Sequence, residues 1–294
     1  MRQTFIEELI FAAKKNKKIM LVVNDLGYGV IEKFAKLYPK QFINAGVAEQ
    51  NMMGLAAGLA MKKNHVFVYS IGNFPTFRCA EQIRNDIDYH NLSVSIVNVG
   101  SGVTYGNLGY SHHSLQDYAL MRCMPNILIS SPCNDTEVKN TLRYLINKPQ
   151  PSYLRLGKNS LQDFLNFKSV NKIKPGVWSL IKKGKSDRAI LLTGNTTSIA
   201  SDLIKQKKYQ HYSIYSLPLW GMKYKKIQVK QAKKIKNIIT IEDHFYDGGF
   251  GSWLNESFNE FGLKLNLSSI FLNTDVIGKV GTEKFLTKRY FKKI

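Results

Sequence analysis

The chain has 294 residues, 44% hydrophobic and 21% charged, which is enough apolar material for a sizeable core and about two domains. Such a composition excludes a wholly disordered chain, and no apolar run approaches the roughly 20 residues of a membrane span. Glu7 and Glu8 stand where a secretion signal would turn apolar, and Cys79, Cys123 and Cys133 are an odd set without a CxxC spacing. A reducing, cytoplasmic setting is therefore expected, with neither a disulfide framework nor a zinc site. Lysine and arginine outnumber aspartate and glutamate 42 to 21, a formal charge of +21. The lysines are spread along the chain and thicken only near 223–226 and 233–236. This reads as a basic solvated surface rather than a nucleic-acid face; an anionic substrate or an acidic partner also suits it.

A helix is expected near 2–14 and a buried strand at 19–23 (IMLVV). A helix near 48–62 precedes a strand at 65–69, and a helix near 76–89 precedes one at 94–99. Then come a helix near 115–124, a strand at 127–130, a helix near 135–147 with Asp135 as its cap, and a strand at 153–156. Continuous apolar strands alternating with helices predict a parallel sheet covered on both faces. Residues 161–187 are polar and turn-rich and read as a linker. The rhythm resumes with strands at 189–193, 212–215 and 237–241 and helices near 197–207 and 251–262. The expected fold is thus α/β, two parallel-sheet domains, over 1–160 and 188–294.

Three stretches can carry chemistry. In residues 44–60 (NAGVAEQNMMGLAAGLA), Glu49 opens a helix of small residues, where the macrodipole favours an ionised carboxylate; an acid there also simply suits a helix start. In residues 71–86, Phe74 and Phe77 follow a strand at the sheet's carboxyl end, where ligands collect in open α/β folds. Spaced three apart, they would share a helical face and could flank a flat heterocycle or serve as plain core. In residues 100–114, four glycines precede His112 and His113. A glycine-rich loop brings backbone close to a ligand, and a histidine there can act as acid, base or donor. Neither GxGxxG nor GxxxxGK[ST] occurs.

Together these stretches resemble, in order and over nearly the whole chain, the C-terminal half of transketolase, a thiamine diphosphate enzyme. NAGVAEQNM (44–52) is similar to the family's pyrimidine-domain motif, with its glutamate at Glu49, and GNFPTF (72–77) lies where the family sets aromatics against the aminopyrimidine. GYSHH (109–113), followed by ALMRCMPN (119–126), resembles the segment with the substrate-facing histidine and aligns His112 with it rather than His113. PSYLR (151–155) fits the strand whose arginine binds substrate phosphate, and IEDH (241–244) with GGFGS (248–252) fits the C-terminal domain's pattern. The resemblance implies that Glu49 and His112 are catalytic and that Glu49, Phe74, Phe77 and Asp25 bind the cofactor. It also implies that His112 and Arg155 bind a sugar or sugar phosphate. The family's glutamate bonds the ring nitrogen of the aminopyrimidine and favours its imino form, which lets the cofactor deprotonate itself.

The family holds the diphosphate and Mg2+ with a Gly-Asp-Gly motif, which this sequence lacks. The resemblance therefore implies no metal ligands here and a split enzyme. A separate N-terminal subunit would carry that motif, and the pair would assemble as a heterotetramer with the active site between chains. Gly100 and Leu108 stand where the family has a histidine and an aspartate, Ala80 replaces a third aromatic, and Gly29 stands near an expected phosphate-binding serine. These departures leave the sugar open. A 2-oxo acid dehydrogenase β-subunit and deoxyxylulose phosphate synthase share the architecture. A non-catalytic scaffold or a basic nucleic-acid binder is the reading from another class, and the joint presence of Glu49, His112 and Arg155 argues against it.

Overall fold

The computed structural model describes residues 1–158 and 173–292. Its twelve strands are β1 (Ile19–Val23), β2 (Phe42–Asn44), β3 (His65–Ile71), β4 (Val94–Val99), β5 (Leu128–Ser130), β6 (Ser152–Leu156), β7 (Ser179–Lys182), β8 (Arg188–Leu192), β9 (Ser213–Ser216), β10 (Leu219–Trp220), β11 (Asn237–Ile241) and β12 (Asn266–Ile270). They form a seven-stranded sheet in the order β10-β5-β6-β4-β3-β1-β2 and a five-stranded sheet in the order β12-β11-β8-β9-β7. All pairs are parallel except β10 with β5 and β7 with β9. The expected α/β architecture with two mostly parallel sheets is what forms.

The continuous apolar strands follow from helices on both faces of the first sheet. Leu21, Val23, Phe67, Tyr69 and Val97 pack against Phe5 and Leu9 of the helix Arg2–Lys15 and Val138 and Leu142 of the helix Asp135–Asn147. The alternate residues Val22, Val68 and Ile96 pack against Met52, Met53, Ala56 and Ala60 of the helix Glu49–Met61. Asn134, not Asp135, caps the helix Asp135–Asn147, its side chain accepting from the Glu137 amide at 2.9 Å. No helix among the described residues is long and apolar enough to cross a membrane.

The stretch expected as a linker, 161–187, lies outside the described residues as far as 172; beyond it, β7 forms an antiparallel edge of the second sheet. The expected helix at 76–89 is three short pieces: a 3₁₀ turn (Phe77–Cys79), one α turn (Ala80–Gln82) and a π turn (Ile83–Asp88). Such irregular turns recur at functional sites.

The two sheets are stitched together. After β9 the chain leaves the second sheet, and β10 pairs with β5 at the edge of the first. Trp220 on β10 is buried, 5.0 Å from Tyr118, 5.2 Å from Phe250 and 5.1 Å from Trp253, ring to ring, with its Nε1 donating to Thr193 Oγ1 at 3.2 Å. We predict that Trp220→Ala costs about 3–5 kcal/mol and that fluorescence and circular dichroism still report one coincident denaturant transition. Separate transitions for the two sheets would contradict this coupling.

Candidate active site

Glu49 is the first residue of its helix, directly after Ala48, and is only 7% exposed. A buried carboxylate needs donors. Asn24, which follows β1, gives one from Nδ2 to Oε1 at 3.1 Å, and Arg78 Nη1 gives another at 2.7 Å. The Arg78 guanidinium also lies over the Phe74 ring, 4.2 Å from its centroid, and is open to solvent on its other side. The Phe74 ring meets His112 edge-on at 5.2 Å. Thus β1, the turn after β3 and the glycine-rich loop after β4 converge at the carboxyl edge of the sheet, as the sequence leads one to expect.

Gly72 makes that convergence possible. Its φ is +51°, and a Cβ there would come 3.2 Å from the His112 carbonyl oxygen. The next residue pins the same loop, Asn73 Nδ2 donating to the His113 carbonyl at 2.8 Å. Partial burial and the Arg78 charge lower the His112 pKa, so its imidazole is neutral at neutral pH. Its Nδ1 lies 3.0 Å from Ser111 Oγ. Cys79, behind the carboxylate, is inert: burial, with Glu49's charge, pushes its thiol up to about 12.

One expectation about this cluster changes. Phe74 and Phe77 do not share a helical face, because Phe74 sits in the turn before the helix while Phe77 begins the 3₁₀ turn and is 47% exposed. Asp25, just after β1, occupies an exposed left-handed position (φ +58°). There it accepts from Asn44 Nδ2 at 3.0 Å and Tyr28 Oη at 3.1 Å.

Arg155 lies deep in the fold. The resemblance has it offer its fork to substrate phosphate, yet it is 1% exposed and every N–H has a protein acceptor. Nε donates to Asp117 at 2.6 Å, Nη1 to Asp243 Oδ1 at 2.5 Å and to Tyr118 Oη at 3.4 Å. Nη2 donates to the carbonyls of Ser114 at 2.7 Å and Asp243 at 3.0 Å. Each N–H is thus paired within the protein, and Arg155 joins the two sheets and the histidine loop. His244 stands beside it, accepting from the Tyr118 amide at 3.2 Å through Nε2 while Nδ1–H donates to the Phe245 carbonyl at 2.6 Å.

The profile of the transketolase pyrimidine binding domain matches residues 1–163. This chain belongs to the transketolase family. It is 32% identical over 99% of its length to a protein of Methanocaldococcus jannaschii named as a transketolase C-terminal section, spanning 91% of that protein. It is 31% identical to one of the subunits of the apulose-4-phosphate transketolase of Phocaeicola vulgatus, over 88% of this chain and 83% of the relative. Deoxyxylulose phosphate synthase of Clostridium perfringens is 29% identical over 93% of the chain, which spans 44% of that longer protein. A solved structure of a split gene transketolase, an inactive beta4 tetramer, superposes with a TM-score of 0.83 at 27% identity, over 98% of this chain and 92% of the other.

Within this transketolase fold, Asn24 and Arg78 are contacts of Glu49 that the sequence alone does not reveal. The one signal for Arg78 is its place directly after the aromatic pair.

Two measurements check the role of Arg155. Arg155→Met should cost about 3–5 kcal/mol in denaturant, because it strands two buried carboxylates. It should not raise KM selectively for a phosphorylated substrate; a selective rise would restore the phosphate-binding role. Acid should also loosen this network. Burial lowers the His244 pKa from 6.5 to about 4 despite the opposing pull of Asp117. His244 is therefore neutral in the fold, and its contribution is complete above pH 6.5 and lost as pH falls toward about 4. In that window stability should fall by up to about 1.4 kcal/mol per pH unit for this proton, and His244→Gln should remove that part of the slope.

Proposed function

We propose that this chain is the pyrimidine-side subunit of a split, thiamine diphosphate-dependent transketolase that moves a two-carbon ketol unit between sugars or sugar phosphates. The first sheet, over about 1–160, would be the pyrimidine-binding domain, and the second, over 188–294 with β7 added, the C-terminal domain. A separate N-terminal subunit carrying Gly-Asp-Gly would hold the diphosphate and Mg2+, in a cytoplasmic heterotetramer. The two-chain arrangement is supported by the match of this chain over most of the length of two relatives, one named as a C-terminal section and the other as a single subunit of its enzyme.

The observation that carries the reading is the Glu49 site itself. A planar N–C–N group, the Arg78 guanidinium, hydrogen-bonds the carboxylate and stacks on Phe74. An aminopyrimidine is a planar group with the same pattern of nitrogen atoms, so the residues fit it. When bound, thiamine diphosphate supplies the carbon nucleophile that accepts the ketol unit. Glu49 would accept a hydrogen bond from the protonated ring nitrogen and hold that proton in place, with Asn24 orienting the carboxylate. Phe74 and Phe77 would flank the ring and exclude water. Neutral His112 can donate to a substrate oxygen or take its proton. Asp25 would belong to the rim near the cofactor, and Arg155 is omitted from the substrate contacts.

Glu49→Gln tests the reading in the complex reconstituted with an N-terminal transketolase subunit. The substitution preserves shape and removes the charge. Ketol transfer should fall by at least ~10²-fold with the circular dichroism spectrum unchanged; activity within a few-fold of the parent would refute the assignment.

A further inference from the structure

We propose that Arg78 is a built-in occupant of the pyrimidine site: in the unloaded chain its guanidinium holds the place of the aminopyrimidine, and it must swing out before Glu49 and Phe74 can receive the ring. The proposal rests on the function proposed above and adds a means of regulating that site.

Arg78 makes both interactions that the heterocycle would need. Its Nη1 is 2.7 Å from Glu49 Oε1, and its guanidinium carbon lies 4.2 Å above the centre of the Phe74 ring. A guanidinium is flat, donates from nitrogen to carboxylate and stacks on aromatic faces. The two groups therefore compete for this carboxylate and for this ring face.

The environment explains why such an occupant is useful and why it can leave. The Glu49 side chain is 8% exposed, so without a partner it would be a buried, uncompensated charge. Arg78 supplies the compensating charge in the unloaded chain. The Arg78 side chain is itself 53% exposed, with solvent on its outer side into which it can rotate. It springs from a 3₁₀ turn that leads through one α turn into a π turn, so no long helix fixes its direction. Ligand affinity is then reduced by the fraction of chains in which the arginine is docked. Release also changes the surroundings of His112, whose pKa Arg78 helps to depress.

The test is binding of thiamine, without its diphosphate, to the purified full-length chain by calorimetry and saturation-transfer NMR. Arg78→Ala should bind thiamine at least about 10-fold more tightly than the parent, and Arg78→Gln, a second variant of similar length and no charge, should also gain. The double variant Arg78→Ala, Glu49→Gln should lose the gain. Equal or weaker binding by both single variants, or no binding by any chain, would overturn the proposal, as would destabilisation without tighter binding. These outcomes stand apart from the proposed function. If Arg78 fails here while Glu49→Gln still abolishes ketol transfer in the complex, only the Arg78 proposal falls. If Glu49→Gln leaves the complex active, the functional reading falls whatever Arg78 does.

Discussion

Arg155 has no access to water, so each of its five N–H groups must find an acceptor inside the protein. Those acceptors come from three parts of the chain: Asp117 and Tyr118 at the start of the helix Asp117–Arg122, Ser114 at the end of the glycine-rich loop, and Asp243 just beyond β11 of the second sheet. A buried guanidinium is tolerated only when such a set is complete. The second sheet, through Asp243, thereby helps to hold a loop that belongs to the first. The carboxyl-terminal segment adds to this frame, with the Gly281 amide donating to the Gly106 carbonyl at 3.1 Å and Thr104 Oγ1 to Glu283 at 3.0 Å. The position of His112 thus depends on residues that follow both sheets.

Glu49 obeys the same rule with a different outcome. Its donors are Asn24, which is buried, and Arg78, which is half in water. One donor is buried and the other half-exposed, a pairing that suits the ligand-binding role proposed for this carboxylate. Close to it in the chain are two exposed apolar residues, Val47 at 77% and Phe77 at 47%. Such a surface suits a site completed by a second chain.

Much of this is legible in the sequence. The central strands announce themselves as continuous apolar runs because both sheet faces are covered. β12 escapes because it is an edge strand that reads NLSSI with every other residue exposed, and β10 because two residues carry no period. Glu49, Phe74 and His112 are readable through motif order. The burial of Arg155 is not, because its partners lie 38 and 88 residues away and only the closed fold brings them together. Arg78 hides for the opposite reason: a lone arginine in a basic chain looks like one more solvated charge until its neighbours are placed. The boundary near 160 falls outside the described residues.

The central claim is that this chain contributes the pyrimidine half of a shared thiamine site and leaves the charged half to another subunit. Calorimetric titration of thiamine diphosphate with Mg2+, first into the isolated chain and then into its complex with an N-terminal transketolase subunit, tests this most directly. We predict no tight, magnesium-dependent binding by the chain alone and tight binding once the complex forms. Micromolar, magnesium-dependent binding by the isolated chain would contradict the claim.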